Sequence, residues 1–130
     1  MTTPHVRLRI DLSPSCSVGP GKVALLAAIE SAGSLSGAAR AIGMSYRRAW
    51  LLLEEVNVSF ADPATRSSVG GSGGGGVELT DFGRRLIALY RDFEGKVDAL
   101  ASQQFRALAA GARPAQRAAP PAKRKRLSRR

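Results

Sequence analysis

Residues 33–57 read GSLSGAARAIGMSYRRAWLLLEEVN and carry two helical periodicities separated by Gly43. Ser34 is suited to accept from the donors that a helix start leaves unpaired. Leu35, Ala38, Ala39 and Ile42 follow at the spacing of one helix face. The two small alanines admit a second helix at close range, and Gly43 supplies the backbone freedom to end the first. Ser45 can cap the second helix. At about 100° per residue, Tyr46, Ala49, Trp50, Leu52, Leu53 and Val56 gather on one broad apolar face. Arg47, Arg48, Leu51, Glu54 and Glu55 fall opposite. An ordinary helical hairpin also turns charges outward. Here the arginines are confined to the first turn and the carboxylates to the last, which predicts a helix-turn-helix whose second helix enters a DNA major groove N-terminal end first. There an arginine can bridge guanine O6 and N7, and Leu51 can meet a thymine methyl. Tyr46 and Trp50, on the apolar face, are expected to anchor the helix rather than to stack on bases.

Upstream, residues 6–12, VRLRIDL, alternate apolar and charged side chains as a half-buried strand does, with Val6, Leu8, Ile10 and Leu12 inward. The SPSCSVGPG segment that follows is turn chemistry, with Pro20 fit for a first helical position. A helix over residues 21–32 is expected to bury Val23, Leu25, Leu26 and Ile29, and Gly33 can close it.

Downstream, residues 65–69 and 77–80 are short candidate strands around a glycine-rich tip at 70–76. A flexible linker would have the same composition. A linker, however, joins units that each hold a core, and neither side of this one can. The segment is therefore expected to be a hairpin wing, with the VRLRIDL strand completing a small sheet. Arg66, Ser67, Ser68 and Ser72 are then candidates for phosphate or minor-groove contact. Thr80 can cap a final helix, with Asp81 favourable at its positive end. That helix is expected over residues 81–109, roughly 40 Å at about 1.5 Å per residue. Phe82, Leu86, Leu89, Phe93, Val97 and Leu100 recur along it in steps of three and four. The winged unit can cover the first half and the chain offers nothing for the rest. Leu86, Leu89, Phe93, Val97 and Leu100 are accordingly assigned to a homodimer interface. The alternative is a monomer with a frayed last helix.

The expected architecture is mainly α with a small β-sheet, a winged helix-turn-helix over residues 1–110 with a long C-terminal dimerisation helix. Residues 111–130, rich in Ala, Pro and basic residues, are expected to be a disordered tail. Charge divides the same way. Residues 1–105 hold 11 Lys and Arg against 10 Asp and Glu, whereas residues 106–130 hold 9 basic residues and no acid. Of the formal +10, residues 106–130 thus carry +9 and residues 1–105 only +1, and a DNA-binding reading of the folded part must come from motif geometry.

Cys16 is the single cysteine, so there is no intrachain disulfide and no zinc-ligand spacing. No apolar run nears the roughly 20 residues that span a bilayer, and the first residues lack a signal-peptide core. The expectation is a soluble cytoplasmic protein with no membrane partner. Fragments that mimic catalytic motifs fail on inspection. GPGKV at 19–23 has Cys16 where a phosphate loop needs its first glycine and Val23 in place of the magnesium-binding hydroxyl. Asp81, Phe82 and Gly83 spell a kinase DFG with no catalytic loop to accompany it. No acid, base, nucleophile or metal-ligand constellation converges, so neither enzyme activity nor a metal or cofactor is expected.

The run GPGKVALLAAIESAGSLSGAARAIGMSYRRAWLLLEEVN followed by GGSGGGGVELTDFGRRLIALYR resembles the N-terminal DNA-binding domain of the ModE molybdate-responsive regulators, over about residues 6–108. The resemblance implies a LysR-like winged helix-turn-helix in a prokaryotic transcription factor that dimerises through its long last helix. It also implies that Ser45, Tyr46, Arg47 and Arg48 begin the recognition helix and that residues 66–76 form the wing. Full-length members carry molybdate-binding domains with a SARNQ-like motif, and that motif does not occur in this sequence. Either a separate effector-sensing protein supplies the molybdate response or the regulator answers to a different signal. The leading expectation is a dimeric, sequence-specific regulator on a roughly palindromic operator in double-stranded DNA, of molybdenum or other oxyanion-related genes. The rival is an architectural, nucleoid-associated protein whose basic tail dominates binding.

Overall fold

The computed structural model describes residues 3–68 and 76–113. The expected wing tip, including Ser72, and nearly all of the basic tail lie outside them.

Two short strands open the fold, β1 (Ile10–Ser13) and β2 (Cys16–Val18), followed by α1 (Pro20–Ala32). Next come α2 (Leu35–Ala41) and α3 (Tyr46–Ser59), then the wing strands β3 (Thr65–Ser68) and β4 (Gly76–Leu79). The long α4 (Asp81–Gln104) and a single turn α5 (Arg106–Ala110) complete it. Pro20 opens α1 with its φ already set for a helix. Gly33 ends it in the left-handed region at φ 73°, its N–H donating to the Ile29 carbonyl at 2.8 Å.

The helices meet over one core. α1 supplies Leu25, Leu26 and Ile29, α2 supplies Ala38 and Ala39, and α3 supplies Ala49, Leu53 and Val56. Ala64 and Leu79 enter from the wing side and Leu86, Ile87 and Tyr90 from α4. Leu25, Leu26, Ile29, Leu79 and Val56 are the largest side chains fully removed from solvent, each contributing about 1.5–3 kcal/mol. The wing is seated on this core by backbone: Val77 N–H donates to the Gly33 carbonyl at 3.0 Å and Thr80 N–H to the Ala64 carbonyl at 2.9 Å. α4 starts so close to Ala64 that a Cβ at Gly83 would collide with its carbonyl.

Three expectations are corrected. The N-terminal strand does not join the wing. It begins at Ile10 and pairs antiparallel with β2 in register Ile10↔Val18 and Asp11↔Ser17, so the described residues form two separate two-stranded sheets, β1–β2 and β3–β4. The SPSC turn places a partner strand a few residues away, and closing that short loop costs less entropy than reaching the wing. The final helix is not continuous either. It breaks at Phe105 (φ −109°, ψ 20°), and the turn beyond it brings Phe105, Leu108 and Ala109 round a shallow apolar groove shared with Pro4.

The second half of α4 is also not without cover. Residues 3–9 lie along it as an extended arm, half-burying Val6 and Leu8 and exposing Arg7 and Arg9. Val6 N–H donates to Asp98 Oδ1 at 2.7 Å, His5 Nδ1 lies 3.0 Å from Asp98 Oδ2, and Tyr90 Oη donates to the Leu8 carbonyl at 2.6 Å. The alternation read in VRLRIDL holds from Val6 to Ile10, with Val6 and Leu8 facing a helix, but Leu12, expected inward, is 59% exposed.

Candidate nucleic-acid interface

The helix-turn-helix is built as the residues require. Ser34 Oγ accepts from Gly37 N–H at 3.0 Å and so starts α2. Gly43, at φ 68°, turns the chain, and Met44 N–H closes the turn on the Ala39 carbonyl at 2.9 Å. Ser45 Oγ accepts from Arg48 N–H at 3.1 Å and starts α3. Ala38, Ala39 and Ala49 are buried between the helices, where larger side chains would push α3 away.

With α3 so placed, Ala49, Leu53 and Val56 are its buried residues and Leu52 packs half-buried beside them. The buried face is thus narrower than the broad one expected from periodicity, because small alanines bring the helices close and leave the flank outside. Tyr46 and Trp50 are 56% and 48% exposed, so neither is the buried anchor that the sequence suggested. Together with Arg47 and Leu51 they line an open surface depression of about 440 Å³. Ser45, Arg47 and Arg48 are exposed beside them. Arg48 faces a second depression shared with Arg9, Ser17, Gly19 to Lys22, Leu52 and Glu55. Among the described residues Arg40, Arg47 and Arg48 make no ion pair, and neither do Arg7, Arg85, Arg91, Arg106 and Arg113, whereas Arg9, Lys22, Arg66, Arg84 and Lys96 do. What sets Arg40, Arg47 and Arg48 apart is that all three lie on the helix-turn-helix.

The wing is organised differently. Thr65 and Leu79 point inward as a cross-strand pair, and the next pair along, Arg66 and Glu78, points outward. Arg66 Nε donates to Glu78 Oε2 at 2.7 Å, and this bond holds the guanidinium still more firmly protonated. Ser67 is exposed and Ser68 half-buried.

Two residues that sequence reading passed over fix these parts together. Asn57, near the end of α3, accepts on Oδ1 from Ala64 N–H at 2.8 Å and Thr65 N–H at 3.1 Å, and donates from Nδ2 to Thr65 Oγ1 at 3.0 Å. A polar amide directly after the inward Val56 was the available signal. Lys22 is 8% exposed, and its ammonium donates to the Ser17 carbonyl at 2.9 Å and to Glu55 Oε2 at 3.2 Å, tying α1 to α3. The lysine of the GPGKV fragment is thereby engaged within the protein. No group of metal-ligating side chains occurs among the described residues, and no described helix is long and apolar enough to cross a membrane.

On α4, Leu89, Phe93 and Leu100 are exposed on one side and Val97 is half-buried. Leu86 instead packs in the core of its own chain, which leaves it little surface for a second copy. Leu89 and Phe93 also line a groove of about 320 Å³ with Ile10, Leu12, Val18, Leu86 and Tyr90.

The chain is 36% identical over 88 residues to the molybdenum transport protein ModE of Azotobacter vinelandii, an alignment covering 68% of this chain and 33% of that protein. It is 45% identical over 85 residues to the molybdenum-pterin-binding protein MopB of Rhodobacter capsulatus, covering 65% and 32%. It is 36% identical over 86 residues to the DNA-binding transcriptional dual regulator ModE of Escherichia coli K12, covering 66% and 33%. The chain spans about a third of the length of these curated relatives. No family model matches it.

Proposed function

We propose that this chain, ModE-like in sequence and a winged helix-turn-helix in structure, is a cytoplasmic DNA-binding transcriptional regulator of molybdenum or other oxyanion-related genes. Residues 1–110 act as the DNA-reading and dimerising domain, and residues 111–130 add sequence-independent attraction to phosphates. The observation that carries this reading is the exposure of Arg47 and Arg48, without ion-pair partners among the described residues, on a first turn fixed by the Ser45 cap. A guanidinium without an ion-pair partner among the described residues, exposed on the first turn of α3, is set up for bidentate contact with guanine. Tyr46, Trp50 and Leu51 extend that surface with apolar area suited to thymine methyls. Two copies joined through the exposed side of α4 would present two such helices about 34 Å apart, matching successive major grooves of a palindrome.

The test is selection of duplexes from a random library by the full chain, followed by titration of the enriched palindrome. Replacing Arg47→Ala and Arg48→Ala together should cost about 1–3 kcal/mol per lost base contact and abolish the preference over random duplex. Unchanged preference in that variant would overturn the reading.

A further inference from the structure

The wing carries one cation, Arg66, that the fold already occupies. Its partner Glu78 stands directly opposite on β4, and Arg66 Nε donates to Glu78 Oε2 at 2.7 Å. Asp81 adds to the negative field around the same guanidinium. The pair is outward and partly solvated, with side chains 62% and 46% exposed, so it is a weak latch that a stronger anion can open. The bond uses Nε only. The two terminal nitrogens of Arg66 make no hydrogen bond among the described residues. Position matters as much as charge: Arg66 follows Thr65, the residue that Asn57 pins to the end of α3. The wing arginine therefore sits one residue from the anchor that joins the wing to the C-terminal end of α3.

We infer that Glu78 competes with DNA phosphate for Arg66, so that docking exchanges the carboxylate for a phosphate and Glu78 sets how much the wing adds to affinity. This rests on the DNA-binding reading above. The exchange returns little net attraction, because the carboxylate bond that Arg66 gives up offsets much of the phosphate bond it gains. By contrast the arginines of α3 give up no internal ion pair on docking. In this arrangement α3 governs which sequence is bound and the Arg66–Glu78 pair attenuates the wing.

Affinity of the full-length chain for the palindrome enriched by the wild-type protein tests this, measured at moderate salt for Glu78→Gln, Arg66→Ala and the double variant. Both side chains are exposed, and thermal melts identify any variant that fails to fold. Glu78→Gln should tighten binding by about threefold to fivefold, the range an exposed ion pair supports, and in the Arg66→Ala background the gain should fall below about twofold. An equal gain in both backgrounds would mean that Glu78 merely repels DNA and would overturn the competition. So would no gain at all. Wild-type protein that enriches no sequence would instead sink the DNA-recognition reading itself, a separate outcome.

Discussion

Asn57 shows how a single side chain decides the relation between α3 and the wing. Its amide satisfies two backbone donors, at Ala64 and Thr65, that no strand pairing would reach, and gives one bond to the Thr65 hydroxyl. Replacing it by alanine leaves two partly buried N–H groups unpaired, a loss of about 2–3 kcal/mol in stability. Urea denaturation of Asn57→Ala measures this, and a midpoint equal to wild type would contradict the assignment. DNA affinity should fall as well, because Arg66 lies one residue beyond the anchor. The arginines of α3 illustrate the opposite case. Arg47 and Arg48 are positioned by a serine cap and by their place in the turn, both readable from residue types. Trp50 was not readable in that way. Its place on an apolar arc suggested burial, and only the close approach allowed by Ala38, Ala39 and Ala49 leaves it on the surface.

At the scale of elements, α4 serves two partners on two faces. Its first turns enter the winged core through Leu86, Ile87 and Tyr90. Beyond them the N-terminal arm is fastened along it, and Asp98 is the fastening group. The Val6 N–H, then His5, hold its carboxyl below the ordinary value of 3.8, and a carboxylate so lowered favours the bound arm only while it is charged. The sign follows from linkage: the contribution is complete above the ordinary carboxylate value and is lost as pH falls below it through the depressed folded value. Hydrogen exchange at the Val6 amide should therefore show protection that declines on acidification below about pH 4. Asp98→Ala should remove that protection at neutral pH too. Protection that persists in Asp98→Ala would assign the arm's attachment to apolar contact and to the Tyr90–Leu8 bond alone. The Tyr90 phenol, which burial pushes up from its ordinary value of 10.0, stays protonated throughout the acid range as any phenol does, so the second bond does not titrate there.

For the molecule as a whole, Leu89, Phe93 and Leu100 on α4 and Leu12 on β1 are exposed apolar side chains, and Leu12, Leu89 and Phe93 line one groove with the core residues Val18, Leu86 and Tyr90. A second copy is the occupant proposed for it. Phe93→Glu should convert a dimer into a monomer in sedimentation equilibrium and weaken binding to a full palindrome by about a hundredfold or more, with half-site affinity little changed. A variant that still sediments as a dimer would assign the self-association elsewhere. The residue types alone determined the helix-turn-helix, the wing strands, the start of α4 and the arginine-bearing first turn of α3. These rest on caps, glycine turns and helical or twofold periodicity, all of which act within a few residues of one another. Tertiary structure alone decided that β1 pairs with its own turn partner, that the arm lies on α4, that Tyr46 and Trp50 face outward, that Leu86 packs within its own chain and that Arg66 is held by Glu78. Each of those depends on which of several compatible surfaces comes within contact distance. Periodicity shows that a face is apolar or charged, and only the packed chain shows what meets it.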